Sequence, residues 1–104
     1  MALLVCPTDV VHAPAERVWE LLTLPRLYPQ WADARLVTAP DRPVAPGDRI
    51  ALTSGPGLRV TFDIVSLRPC EELAIDVTLP FGIVNHEVVR IGRISDGACR
   101  VTYN

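Results

Sequence analysis

Ala13-Pro14-Ala15-Glu16-Arg17-Val18-Trp19-Glu20-Leu21-Leu22, followed closely by Leu27-Tyr28-Pro29-Gln30-Trp31, is the stretch that decides the fold. Pro14 suits the first turn of a helix, where a missing N–H costs nothing. With Val18 at zero on a helical wheel of about 100° per residue, Leu22 falls near 40°, Trp19 near 100° and Leu21 near 300°. Glu16, Arg17 and Glu20 fall between about 160° and 260°, so one face is dry and the other wet. A helix this short does not hold itself together in water, and its dry stripe must lie on another element. The only candidate is the run of strands that follows.

Working outward, the pattern predicts a first strand at Thr8–His12, a helix at Ala15–Thr23 and a short second helix around Arg26–Trp31. Strands follow at Arg35–Ala39, Asp48–Ser54, Arg59–Leu67, Leu73–Leu79, Asn85–Ile94 and Cys99–Tyr103. Turn chemistry separates them: Pro46-Gly47-Asp48, Ser54-Gly55-Pro56-Gly57, Pro69-Cys70-Glu71, Pro80-Phe81-Gly82 and Ser95-Asp96-Gly97. Consecutive strands joined by short turns imply an antiparallel meander.

Alternation then assigns faces. Val60, Phe62 and Ile64 share one side of their strand, opposite Arg59, Thr61 and Asp63. Leu73, Ile75, Val77 and Leu79 share a side opposite Asp76 and Thr78, and Val101 and Tyr103 oppose Arg100 and Thr102. The sheet therefore has an apolar concave face and a polar outer one. In the strand Asn85–Ile94, Arg90 is costly to bury alone, which turns Asn85, Glu87, Val89 and Ile91 inward. Asn85 and Glu87 then stand at the end of an apolar wall, where a few polar groups orient a small ligand. A desolvated Glu87 there has a raised pKa and is the single weak candidate for a general acid or base. The alternative is that both residues are solvated at a strand end.

These segments resemble the START-like, or SRPBCC, superfamily, which includes the birch-pollen allergen family, lipid-transfer START domains and bacterial polyketide cyclase/dehydrase-type proteins. The resemblance rests on a strand, then Ala-Pro-x-x-x-Val-Trp-x-Leu-Leu-Thr, then Leu-Tyr-Pro-x-Trp. It continues through Pro46-Gly47-Asp48-Arg49-Ile50, Val60-Thr61-Phe62-Asp63-Ile64, Arg68-Pro69-Cys70-Glu71-Glu72-Leu73 and the turn from Asp96-Gly97 into Arg100-Val101-Thr102. It implies an α+β helix-grip fold over residues 1–104 as one domain: a curved antiparallel sheet of six to seven strands with two short N-terminal helices. The family normally adds a long C-terminal helix, and the ligand cavity lies between that helix and the sheet. This sequence stops at Asn104, before any such helix. Each large apolar side chain left wet forfeits about 1.5–3 kcal/mol, against a total margin of about 5–15 kcal/mol. The expectation is a homodimer covering the open face, or a chain that continues in a longer product.

The totals exclude several classes of function. With 104 residues, 49% of them apolar, the chain supports one core. A formal net charge of −2 without a basic cluster argues against nucleic-acid binding. All ten basic residues are arginines, which fits a GC-rich genome. No apolar run approaches the roughly 18 residues of a membrane span, and the start Met-Ala-Leu-Leu-Val-Cys lacks a signal-peptide pattern. A cytoplasmic protein is expected. Cys6, Cys70 and Cys99 lack disulfide or metal spacing, and His12 and His86 have no companion ligands. No metal and no cofactor is expected, and no nucleophile elbow or phosphate loop is present.

The first-ranked expectation is binding of a small hydrophobic molecule such as a lipid or polyketide. Its wall is Val60, Phe62, Ile64, Ile75, Val77 and Leu79; Asn85 and Glu87 orient a polar end, Trp31 stands at the mouth and Phe81 on a gating turn. Second is a polyketide cyclase or dehydratase-like enzyme in which Glu87 moves a proton. Third is dimerisation or protein docking through the apolar sheet face.

Overall fold

A computed structural model describes residues 8–103. β1 (Thr8–Val11) leads into α1 (Ala15–Thr23) and a 3-10 helix at Pro25–Gln30. β2 (Ala34–Thr38), β3 (Arg49–Ser54), β4 (Leu58–Arg68), β5 (Glu72–Thr78), β6 (Val84–Ser95) and β7 (Ala98–Tyr103) follow, with a short 3-10 turn at Pro80–Gly82 between β5 and β6. All neighbours pair antiparallel, in the order β1-β7-β6-β5-β4-β3-β2. The curved seven-stranded sheet with short helices is the α+β helix-grip fold expected from the sequence.

Topology explains where the helices lie. β1 and β2 are consecutive in sequence yet occupy opposite edges of the sheet. The chain between them must cross the whole sheet, about 29 Å at roughly 4.8 Å per strand spacing. It crosses on the apolar face, because only there can the dry stripe of α1 be buried. Two core clusters result. Ala15 and Val18 pack on Val89, Ile91, Cys99 and Val101, whereas Tyr28 and Val44 pack on Ile50, Leu52, Ile64 and Leu73. Trp19 and Leu22 touch both clusters, so Trp19 anchors α1 to the sheet as its wheel position requires.

The C-terminus of α1 is fully satisfied. A helix leaves its last four carbonyls without intrahelical donors. Here Glu20 O accepts from Leu24 N (2.9 Å), Leu21 O from Trp31 Nε1 (2.7 Å), Leu22 O from the Tyr28 hydroxyl (2.9 Å) and Thr23 O from Val44 N (2.9 Å). The Thr23 hydroxyl also donates back to Trp19 O at 2.7 Å, which pairs a buried side-chain oxygen.

Three local readings need correction. The short second helix expected around Arg26–Trp31 is a 3-10 segment at Pro25–Gln30, one residue earlier. Pro29 inside it has no N–H to donate and would crowd the carbonyl four residues back, which favours the tighter geometry. β1 ends at Val11, so His12 lies outside it. In β4 the register slips between Ile64 and Ser66, which exposes Val65 and brings Leu67 opposite Leu73. The bulge reverses the alternation, so Ile64 and Leu67 both reach the core, three residues apart. Cys99 is buried, Cys70 is half-buried and both are free thiols; Cys6 lies outside the described residues.

Candidate functional site

α1 and the 3-10 helix cover only one end of the concave face. At the other end, Ala32 and Asp33 lead into β2 at Ala34 and, with β3 and β4, enclose a hollow of about 190 Å³. Ala34, Leu52, Val60 and Phe62 form its walls, with Asp33 and Ser54 at the rim. Register places these residues together: Leu52 is opposite Val60, Ile50 opposite Phe62 and Ala34 opposite Ser54. Gly55, just past Ser54, has φ +28° and its N–H donates to Asp33 O at 3.0 Å. A Cβ there would come within 3.3 Å of the Asp33 carboxylate, so the glycine lets the turn close against the hollow's rim.

An aromatic row backs the hollow. The Tyr28 ring meets Trp31 edge-on at 5.2 Å and Phe62 at 6.0 Å, both within the usual range for ring pairs. Tyr28 is 2% exposed, and burial pushes its phenol pKa up to about 12. Its hydroxyl is held by Leu22 O, so it supports the wall without facing a ligand.

Among the expected site residues, Val60 and Phe62 line the hollow. Ile64 and Val77 are buried, Ile64 in the core beside Tyr28, while Ile75 and Leu79 are half-buried. Asn85 is in register with Val77 and Glu87 with Ile75, which places both on the concave face, as the outward position of Arg90 required. Both are exposed. Trp31 is half exposed while its indole N–H is committed to Leu21 O. Phe81 is 98% exposed with φ +69°, so it lines no wall.

Leu52, Ala34, Asp33, Ser54 and Ala32 were not singled out from the sequence. Leu52 was within reach: pairing β3 with β4 through the Gly55-Pro56-Gly57 turn sets it beside Val60. The Ala32–Ala34 segment carries no periodic signal. Among the described residues no cluster of His, Cys, Asp and Glu could hold a metal ion. His12 is exposed, and His86 lies on the outer face, where its Nδ1 is 2.5 Å from Asp76 Oδ1. No helix among the described residues is long and apolar enough to cross a membrane.

The outer face carries a larger and shallower depression of about 350 Å³ between β6 and β7. Its arginine lining does not suit an apolar ligand, so the concave hollow is the candidate for that chemistry.

A curved meander gripping helices on its apolar face, with a hollow at its open end, defines a START-like, SRPBCC-type fold. Solved structures of that architecture superpose on it. DynU16, a protein of the dynemicin biosynthetic locus, aligns over 96% of this chain at 20% identity and a TM-score of 0.73. CalU16 from Micromonospora echinospora aligns over 92% at 20% identity and a TM-score of 0.67. The Aha1 dimer from Colwellia psychrerythraea aligns over 96% at 12% identity and a TM-score of 0.74. This chain spans 36% of the DynU16 chain, 55% of CalU16 and 74% of the Aha1 protein. At these identities the likeness is one of fold. No protein-family model matches the sequence, and no curated protein sequence does.

Proposed function

We propose that the protein binds a small hydrophobic molecule in the hollow between Ala32–Ala34 and the strands β3 and β4. The observation that carries this reading is an apolar recess of about 190 Å³ on the concave face, walled by Ala34, Leu52, Val60 and Phe62. A dry cavity of about 150 Å³ takes up benzene, so the recess accepts one ring or a short branched chain. A longer ligand continues from Phe62 over Val77 toward Asn85, with Ile75 and Glu87 one row along on the same face. The occurrence of DynU16 in a biosynthetic locus supports a metabolite as ligand.

Binding of the neutral probe N-phenyl-1-naphthylamine tests the reading. Saturable fluorescence enhancement at one site per chain is expected, and Val60→Trp should abolish it by filling the recess while unfolding remains cooperative. Probe binding unchanged in that variant would overturn the reading. Glu87→Gln separates carriage from cyclase or dehydratase chemistry: a carrier keeps its probe affinity, and an enzyme loses its pH–rate profile.

A second reading is favoured by the uncovered half of the concave face, where Trp31 and Tyr103 are 46% and 42% exposed. There a second copy of the chain covers the sheet, and the dimeric state of the Aha1 neighbour supports it. Light scattering decides: a monodisperse monomer at high concentration rules it out.

A further inference from the structure

The hollow on the outer face is independent of the concave-face reading, and its chemistry differs. It surrounds Gly92, which pairs with Arg100 across the β6–β7 ladder. Arg90 and Ile94 flank Gly92 at two residues' distance on the same strand, about 7 Å either way. Arg90 in turn faces Thr102. Of the seven lining residues three are arginines and none is acidic.

Gly92 itself needs explanation. Glycine weakens a strand interior, and it is usually there for a bulge, a bend or a close backbone approach. Neither a left-handed backbone nor a close approach applies here. Gly92 has no left-handed φ, and a Cβ there would meet nothing nearer than Arg100 O at 3.9 Å, an ordinary contact. The register slip of this ladder lies further on, between Arg93 and Ser95. What the missing side chain does is leave a floor between two guanidinium groups.

Those groups are differently held. Glu72 Oε2 lies 3.4 Å from Arg90 Nε and 2.9 Å from Arg68 Nη2, which fixes Arg90 by its inner nitrogen and leaves its outer ones free. Among the described residues Arg100 has no carboxylate partner. Arg93, the third arginine, is committed to Glu16. Two guanidinium forks stand around an open floor with the Thr102 hydroxyl, which also lies 3.3 Å from the Thr8 hydroxyl, and together they match a tetrahedral oxyanion, which accepts paired N–H donors. Ile94, half exposed at the edge, offers an apolar rest for an organic substituent.

We propose that this depression is a binding site for a small phosphate monoester, its phosphate held by Arg90, Arg100 and Thr102 over Gly92. Phenyl phosphate is the probe, followed by amide chemical shifts in the full chain. Saturable shifts clustered at Gly92, Arg100 and Thr102 are expected, with sodium chloride at matched ionic strength and phenol failing to reproduce them. Arg100→Gln should weaken binding roughly tenfold or more, since a charge-assisted pair is lost. Gly92→Val, which the open Cβ position tolerates and strand propensity favours, should fill the floor and remove binding without lowering thermal stability. Shifts reproduced by chloride or phenol, or an affinity unchanged in either folded variant, would overturn the proposal.

Discussion

Replacing Tyr28 by phenylalanine separates two consequences of one buried hydroxyl. At neutral pH the hydroxyl donates to Leu22 O, one of the four carbonyls that end α1. Its removal leaves that acceptor without its partner in the core, at a cost of about 1–2 kcal/mol. The ring stays between Trp31 and Phe62, so packing changes little. At alkaline pH this contribution is eroded. The phenol titrates near 10 in the unfolded chain and at about 12 in the fold, so between those values the unfolded state has lost a proton that the native state keeps. Stability therefore falls as pH rises through this window, by about 1.4 kcal/mol at pH 11 and approaching about 3 kcal/mol beyond pH 12. Burial also pushes the Cys99 thiol up, which adds a loss of the same sign that both proteins share. Urea unfolding followed by far-ultraviolet circular dichroism at pH 8, 10 and 11 measures both effects. Tyr28→Phe should be the less stable protein at pH 8 and should lose less stability on going to pH 11. Equal alkaline losses in the two proteins would refute the assignment of a buried, hydrogen-bonded phenol.

Trp31→Phe removes the indole donor to Leu21 O and should lower stability by about 1 kcal/mol in urea; an unchanged midpoint would show that the exposed indole adds nothing to the helix end. Phe81→Gly relieves a left-handed backbone at a residue with no packing to lose, and should raise stability by roughly 0.5–1 kcal/mol; a lower melting temperature would show that the ring makes contacts. The Asp48 carboxyl is held below its usual range first by the Arg42 guanidinium and then by the Ala45 N–H. Its stabilising share is present above the ordinary aspartate value and disappears as pH falls through the lowered one. Asp48→Asn should therefore flatten acid unfolding curves without abolishing them, because Arg93 and Arg68 hold Glu16 and Glu72 low in the same way. An acid limb as steep as that of the parent would contradict this.

Periodicity located α1 residue for residue because nine positions with one dry face leave no alternative phase. The strands were legible from alternation to within a residue or two at each end. Bulges were not, since a register slip such as the one between Ile64 and Ser66 depends on which partner residue lies opposite. The candidate site shows the same division. Leu-Tyr-Pro-x-Trp, the motif on which much of the family resemblance rests, supplies two of the donors that close the end of α1. The motif therefore reports how the helix is pinned over the sheet. The recess is walled instead by Ala34, Leu52, Val60 and Phe62, residues with no motif among them, brought together by the pairing of β2, β3 and β4. A chain can keep the pinning aromatics while changing every wall residue. It follows that the motif reports the pinning of the helix and not what the recess holds, and under the proposed reading probe affinity should track substitutions at Leu52, Val60 and Phe62.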